Sequence, residues 1–151
     1  MGSDIEIRKY APTDKAAALN LIRLNTPQFF APAETEEFGR YLDMYPETYY
    51  MLLLDGEIAG GGGVFFAEGG NAASLAWGMI HPAHQRKALG TALTRFRLEK
   101  IRAAGIGKIT VRTSQRVWKF YEKQGFALTE TQKDFWGEGL DLYAMEFRGN
   151  G

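Results

Sequence analysis

The chain has 151 residues, enough for one domain (1–151) with a sizeable core, and Lys plus Arg balance Asp plus Glu at 18 each. That balance removes the net basic field a nucleic-acid binder uses, and the lack of cysteine excludes disulfides, a thiol nucleophile and zinc–thiolate chemistry. No apolar run reaches membrane-spanning length and no signal-peptide pattern opens the chain, so a cytoplasmic protein with no membrane partner and no metal site is expected.

Ile5 and Ile7 alternate with Glu6 and Arg8, which predicts a strand over about residues 4–10. Thr13 or Asp14 can cap a helix whose broad apolar face holds Ala17, Leu19, Leu21, Ile22 and Leu24. Asn25-Thr26-Pro27 breaks it, and Phe29-Phe30-Ala31-Pro32 follows as an aromatic loop. A shorter acidic helix starts near Thr35 and stops before Pro46. Tyr49 to Leu54 is an apolar strand, and Asp55-Gly56 is a hairpin turn signal. The next strand, Glu57 to Phe66, carries glycine at 60 to 63, so another backbone or a ligand must approach it closely. A dinucleotide loop needs spaced glycines that open a helix, whereas this run leads into Val64-Phe65-Phe66.

Ala73 to Ile80 is an uncharged central strand that ends at His81-Pro82. A helix pattern begins at Leu89, with Leu93 and Phe96 on its apolar face and Arg95, Arg97, Glu99 and Lys100 mostly outside it. Further on come a strand around Ile109 and Val111, a helix capped by Ser114, and strands Phe126 to Thr131 and Leu140 to Phe147. Phe135-Trp136-Gly137 falls in the loop between the last two. The order β-α-α-β-β-β-α-β-α-β-β predicts an α+β, or mixed α/β, domain whose central sheet is mostly antiparallel.

The segment from Leu75 to Gly90 organises the rest. A strand that feeds a basic, amide-rich loop into a helix N-terminus makes an anion site, because the first helical N–H groups lack partners and the helix dipole is positive there. Arg86 and Lys87 add full charges, so a diphosphate-bearing cofactor is the leading ligand; the alternative is a solvated charge pair. Gln85-Arg86-Lys87-Ala88-Leu89-Gly90-Thr91-Ala92 resembles the acyl-CoA pyrophosphate loop of the GNAT superfamily of N-acetyltransferases, Gln/Arg-x-x-Gly-x-Gly/Ala, with Ala88 in place of the first glycine. Phe120-Tyr121-Glu122-Lys123-Gln124-Gly125-Phe126 is similar to a second signature of that family, at the expected interval.

The resemblance implies a GNAT-like acyl-CoA-binding fold and transfer of acetyl from acetyl-CoA to a primary amine, on a small molecule or a peptide, by direct attack. Backbone amides from Gln85 to Thr91, Leu89 and Gly90 included, would hold the pyrophosphate. Met79 and Ile80 would pair with pantetheine. Ser114 stands where the family often has a pantetheine-binding Asn, or is only a cap. Tyr121 matches the residue that often protonates the leaving thiolate; a phenol holds its proton at neutral pH, as such a donor must. Its alternative is a half-buried core tyrosine. Alanine at 88 is tolerable if its φ is negative and otherwise crowds the cofactor.

The general base is the gap. Many members of the family place a Glu in the central strand, and Ala73 to Ile80 holds no acid. His81 is nearest in sequence, though a histidine before proline at a strand end is more often structural; Glu34 or Glu68 could reach in from loops, and His84 is loop surface. Phe29, Phe30, Phe135 and Trp136 fall where the family binds its acceptor, and would hold an apolar or aromatic portion; alternatively they close the core or a homodimer contact. A non-catalytic acyl-CoA sensor or interaction module on the same fold is the rival function.

Overall fold

The computed structural model describes residues 4–85 and 88–149. Among these, seven strands form one sheet: β1 (Ile5–Lys9), β2 (Tyr49–Leu54), β3 (Glu57–Phe66), β4 (Ala72–Ile80), β5 (Lys108–Thr113), β6 (Phe126–Gly137) and β7 (Leu140–Phe147). The helices are α1 (Lys15–Leu24), α2 (Glu34–Met44), α3 (Leu89–Ala103) and α4 (Trp118–Lys123). The strand order is β1-β2-β3-β4-β5-β7-β6, and β4–β5 is the one parallel pair. The expected α+β architecture with a mostly antiparallel sheet is the one observed.

Both faces of the sheet are covered. Leu21, Ile22, Phe38 and Leu42 from α1 and α2 pack with Tyr49, Met51 and Met79. On the opposite face Leu89 and Leu93 of α3 pack with Leu52, Leu54 and Ala59. Leu98 and Ile101 continue that layer over Val64, Ala73 and Ile109, where Tyr121 of α4 joins them. Each such aliphatic or aromatic side chain stabilises the fold by about 1.5–3 kcal/mol relative to exposure.

The site exists because β4 leaves its neighbour. Its ladder to β5 runs from Ala72↔Lys108 to Leu75↔Val111, and no pair joins the two strands beyond that. β4 continues to Ile80 on β3 alone, while β5 stays with β7. The result is a wedge with an unpaired β4 edge. A bulge sits at its apex: Gly61 faces Met79 and Gly63 faces Ala76, so Trp77 and Gly78 stand opposite the single Gly62. Trp77 takes φ 52°, a left-handed conformation that costs a bulky residue energy and that the surrounding packing must hold.

Four local expectations are corrected. Asp14 precedes α1 but makes no side-chain cap bond; its carboxylate pairs with Arg8 at 2.8 Å and accepts from the Ala11 N–H. α4 starts at Trp118, not Ser114, because residues 115–117 form a turn. Phe135, Trp136 and Gly137 belong to β6 and not to a loop, since the hairpin closes later, at Gly137↔Leu140. Arg97 is buried instead of lying outside the apolar face of α3. Its charge needs a polar seat, and β3 and β4 supply one.

Candidate active site

The wedge opens into a cavity of about 960 Å³. One wall is the end of β4 with Met79, Ile80, Gln85, Ala88, Gly90 and Thr91. Ser114, Val117, Phe120 and Tyr121 face it from the β5–α4 side. Phe29, Phe30, Trp77 and Trp136 line the part beneath α2. Most expected site residues therefore meet in one space. Leu89 is the exception among the loop residues, since its side chain is fully buried in the core beneath α3. Phe135 does not line the cavity; it is 36% exposed, packs edge-on against Trp136 and lies under the Arg112 guanidinium at 4.8 Å. Arg86 and Lys87 lie outside the described residues.

The β4 end carries the features an elongated amide-bearing ligand requires. Its edge from Ala76 to Ile80 has no ladder partner on the β5 side, so backbone groups there are left to the wedge, apart from the carbonyls of Ala76, Trp77 and Ile80, which accept from Arg97, Tyr49 and Asn25. α3 begins where β4 ends, and its first intrahelical bond runs from the Ala92 N–H to the Ala88 carbonyl at 3.2 Å. The N–H groups of Leu89, Gly90 and Thr91 precede that ladder and sit at the positive end of a 15-residue helix. Ala88 adopts φ 59°, so the condition for an easy alanine, a negative φ, is not met. The residue keeps the left-handed turn that a glycine would make without strain. Helix α3 also lies close to α4: a Cβ on Gly90 would stand 3.3 Å from the Phe120 ring.

Asn25, which reads from the sequence only as part of a helix break, ties the mouth together. Buried at the end of α1, it donates to the carbonyls of Leu21 (2.8 Å) and Ile80 (3.1 Å) and accepts from Gln85 at 3.3 Å. Trp136 is fixed by its indole N–H, which donates to Thr113 at 3.0 Å. Ser114 is buried, and its hydroxyl accepts from the Arg116 N–H at 3.2 Å, so it caps the turn before α4 while also lining the cavity. Tyr121 is buried between Phe120 and Phe126 and lines the cavity. His81 does not line the cavity; its ring Nδ1 accepts from the Ala83 N–H at 3.1 Å, within its own turn.

Two ionisable side chains lie buried where sequence patterning alone does not put them. Arg97 is 1% exposed and donates through Nη1 to the carbonyls of Gly63 (3.2 Å) and Ala76 (3.5 Å), the pair that borders the bulge. Its guanidinium fills the hollow left by Gly62 and Gly78, where added Cβ atoms would stand 3.0 and 2.8 Å away. On the other face Tyr49 lies over Gly61 and Gly63, with its hydroxyl 2.6 Å from a Cβ on Gly61. Gly61, Gly62 and Gly63 are thus the imprint of two large side chains, one on each face, while Gly60 lies against Ile80 and the Met79 carbonyl. Glu34, at the start of α2, is 6% exposed and accepts from the Ala31 N–H at 2.8 Å. Burial pushes its carboxyl up to about 7; the Ala31 N–H opposes the shift, and Glu37 adds to it. Deeper along α2, burial likewise pushes the Tyr41 hydroxyl up to about 12.

The site is thus a mostly antiparallel sheet split at a bulged strand, with a helix N-terminus at the mouth of the split. The sequence model of the acetyltransferase (GNAT) family matches residues 18–126, and the chain belongs to that family. Solved structures agree at the level of fold. The ribosomal-protein-S18-alanine N-acetyltransferase of Escherichia coli superposes with a TM-score of 0.80 at 18% identity, over 95% of this chain and 93% of that one. Ard1 from Thermoplasma volcanium gives 0.80 at 16% identity, over 94% and 95%. N-acetylglutamate synthase from Neisseria gonorrhoeae, solved with coenzyme A and N-acetyl-glutamate, gives 0.77 at 17% identity; it covers all of this chain, which spans 36% of that larger protein. No curated protein sequence is similar enough to this chain to count as a match.

Proposed function

We propose that this protein is an acetyl-CoA-dependent N-acetyltransferase that acylates a primary amine by direct attack within a ternary complex. One observation carries the reading. A single cavity runs from the N-terminus of α3, along the unpaired edge of β4, to an aromatic compartment formed by Phe29, Phe30 and Trp136. Two substrates can therefore lie end to end without a covalent relay, and the chain has no cysteine to serve as one.

Acetyl-CoA supplies an acyl group activated as a thioester. Amides at the head of α3, with Arg86 and Lys87 of the preceding loop, hold its diphosphate. The backbone of Met79 and Ile80 pairs with its pantetheine amides, and Ser114 faces them from the opposite wall. Tyr121 gives its phenolic proton to the departing thiolate. The amine enters beneath α2, against the aromatic wall.

The reading is tested by thiol release from acetyl-CoA with a panel of amines: an arylalkylamine, a polyamine, an aminoglycoside and a peptide N-terminus. Release is expected with at least one, and saturating acetyl-CoA should raise the melting temperature by mass action. Tyr121→Phe should lower kcat on the order of 10²-fold and leave KM for acetyl-CoA in place. Absence of acetyl-CoA binding by calorimetry would overturn the assignment. Binding without thiol release above background would make the chain a sensor.

A further inference from the structure

We propose that Glu34 is the general base of this transfer, taking the proton of the acceptor amine from the α2 side of the wedge. The inference rests on the N-acetyltransferase reading and supplies the group that β4 lacks. Among the described residues Glu34 is the only carboxylic acid lining the cavity, and no histidine lines it. Glu68 sits exposed in the turn between β3 and β4. His81 is engaged with its own turn.

The geometry suits the role. Glu34, Phe38 and Tyr41 recur at i, i+4 and i+7, so they form one stripe of α2, and Tyr45 follows just past its end. Phe38 packs on Trp77 at 5.1 Å, and Phe30 stacks on Trp77 at 6.1 Å, which builds an apolar collar beside the carboxyl. The Ala31 N–H pins Oε2. Among the described residues Oε1 has no partner and Glu34 forms no ion pair, so one oxygen is fixed while the other remains free to accept. The titratable and charged groups on the elements around the cavity are Glu37 and Tyr41 on α2, Tyr45 just past its end, Arg97 on α3, Tyr121 on α4, and Arg112 and Arg116 at and after the end of β5. Of these Glu37 acts on the carboxyl directly, and it favours the protonated form. A carboxyl that titrates near neutrality is matched to an ammonium: it is ionised often enough to accept a proton and basic enough to take one.

The step balances. The ammonium proton passes to Glu34 and on to solvent. The amine lone pair forms the C–N bond as the C–S bond breaks; Tyr121 gives its phenolic proton to the sulfur, and the second proton, shed by the new amide nitrogen, returns through solvent to the Tyr121 oxygen.

The test is Glu34→Gln, whose side-chain carbonyl can keep the Ala31 bond. The acceptors are the panel amine with the highest turnover and methoxyamine, which is already neutral at neutral pH. With the basic amine, kcat/KM should fall by at least about 10²-fold, and the limb of the pH profile near neutrality should vanish. With methoxyamine the loss should stay below about tenfold, and acetyl-CoA affinity by calorimetry should not change. Equal losses with both acceptors, or a retained limb, overturn the assignment while the transferase reading stands. If the wild-type chain acylates no amine, the transferase reading fails first and the base falls with it.

Discussion

Two buried charges flank the bulge of β4, and they are held in opposite ways. Arg97 approaches from α3 and is fully enclosed, its Nη1 bonded to two carbonyls and its plane seated on two glycines. Glu34 lines the cavity from the α2 side with one short bond and, among the described residues, no counter-ion and no partner for its second oxygen. A buried charge is costly in either place. Around Arg97 the fold offsets part of that cost with two carbonyls and shape, although Nε has no hydrogen-bond partner among the described residues, and the cation in return fixes where β4 bends away from β5. Around Glu34 most of the cost is left standing, which keeps the group ready to exchange a proton. One charge serves geometry and the other chemistry.

The largest effect should come from removing the structural charge. Arg97→Ala would empty the glycine hollow and strip a donor from the Gly63 and Ala76 carbonyls. The expected destabilisation is about 3–4 kcal/mol, from a large-to-small cavity plus acceptors left without a partner. Arg97→Met refills most of the volume and should cost about half as much. Denaturant midpoints measure both. The comparison breaks if Arg97→Met, once folded, shifts the pH profile of turnover, because Arg97 would then act on the chemistry and not only on the bulge.

The glycines sharpen the same point. A Cβ at Gly78 would meet the Arg97 Nη2 at 2.8 Å, and the guanidinium has little room to move. Gly78→Ala should therefore cost about 1–3 kcal/mol, as overpacking does. In the Arg97→Met background the penalty should shrink by more than half, since the flexible thioether yields where a bonded guanidinium does not. A double-mutant cycle on unfolding free energies reads this coupling. An additive result would mean that the glycine serves the backbone of the bulge and not the arginine.

The legible and illegible parts of the sequence follow the range of the interactions. β2, β3 and β7 can be bounded almost to the residue, because alternation and a turn signal are local. The loop and the Tyr121 segment stand out because a ligand-binding motif is contiguous. Arg97 does not: a charge inside an apolar helix face reads as solvated unless the glycines it rests on, some twenty to thirty-five positions earlier, are already known to be its neighbours. The glycine run did signal a close approach, but not by what. Glu34 was one of several acids, and only the fold of the 25–33 segment shows that it faces inward. Trp136 reads as loop because β6 is irregular: the pairing shifts register between Gln132 and Gly137, and Asp134 takes φ 54°.

The smallest effect concerns Glu34 and stability. Its carboxyl titrates near 7 in the folded chain, above the ordinary 4.5. Between those two values the folded state binds more protons than the unfolded state, so stability falls as pH rises through that window. The sign is opposite to that of Asp14, whose carboxyl the Arg8 hydrogen bond holds below the usual range and whose contribution is lost as pH falls. Glu34→Gln removes the titration and keeps the Ala31 bond. Parent and variant should therefore be nearly equal in stability at pH 5, and the variant should be the more stable by on the order of 1 kcal/mol at pH 8. That is less than the full shift implies, because the carboxyl lines an open cavity where solvent screens it. Melting curves across pH 5–8 read the difference directly. A variant less stable than the parent at pH 8 would mean that the ionised carboxylate has a stabilising partner, and the contrast with Arg97 would be lost.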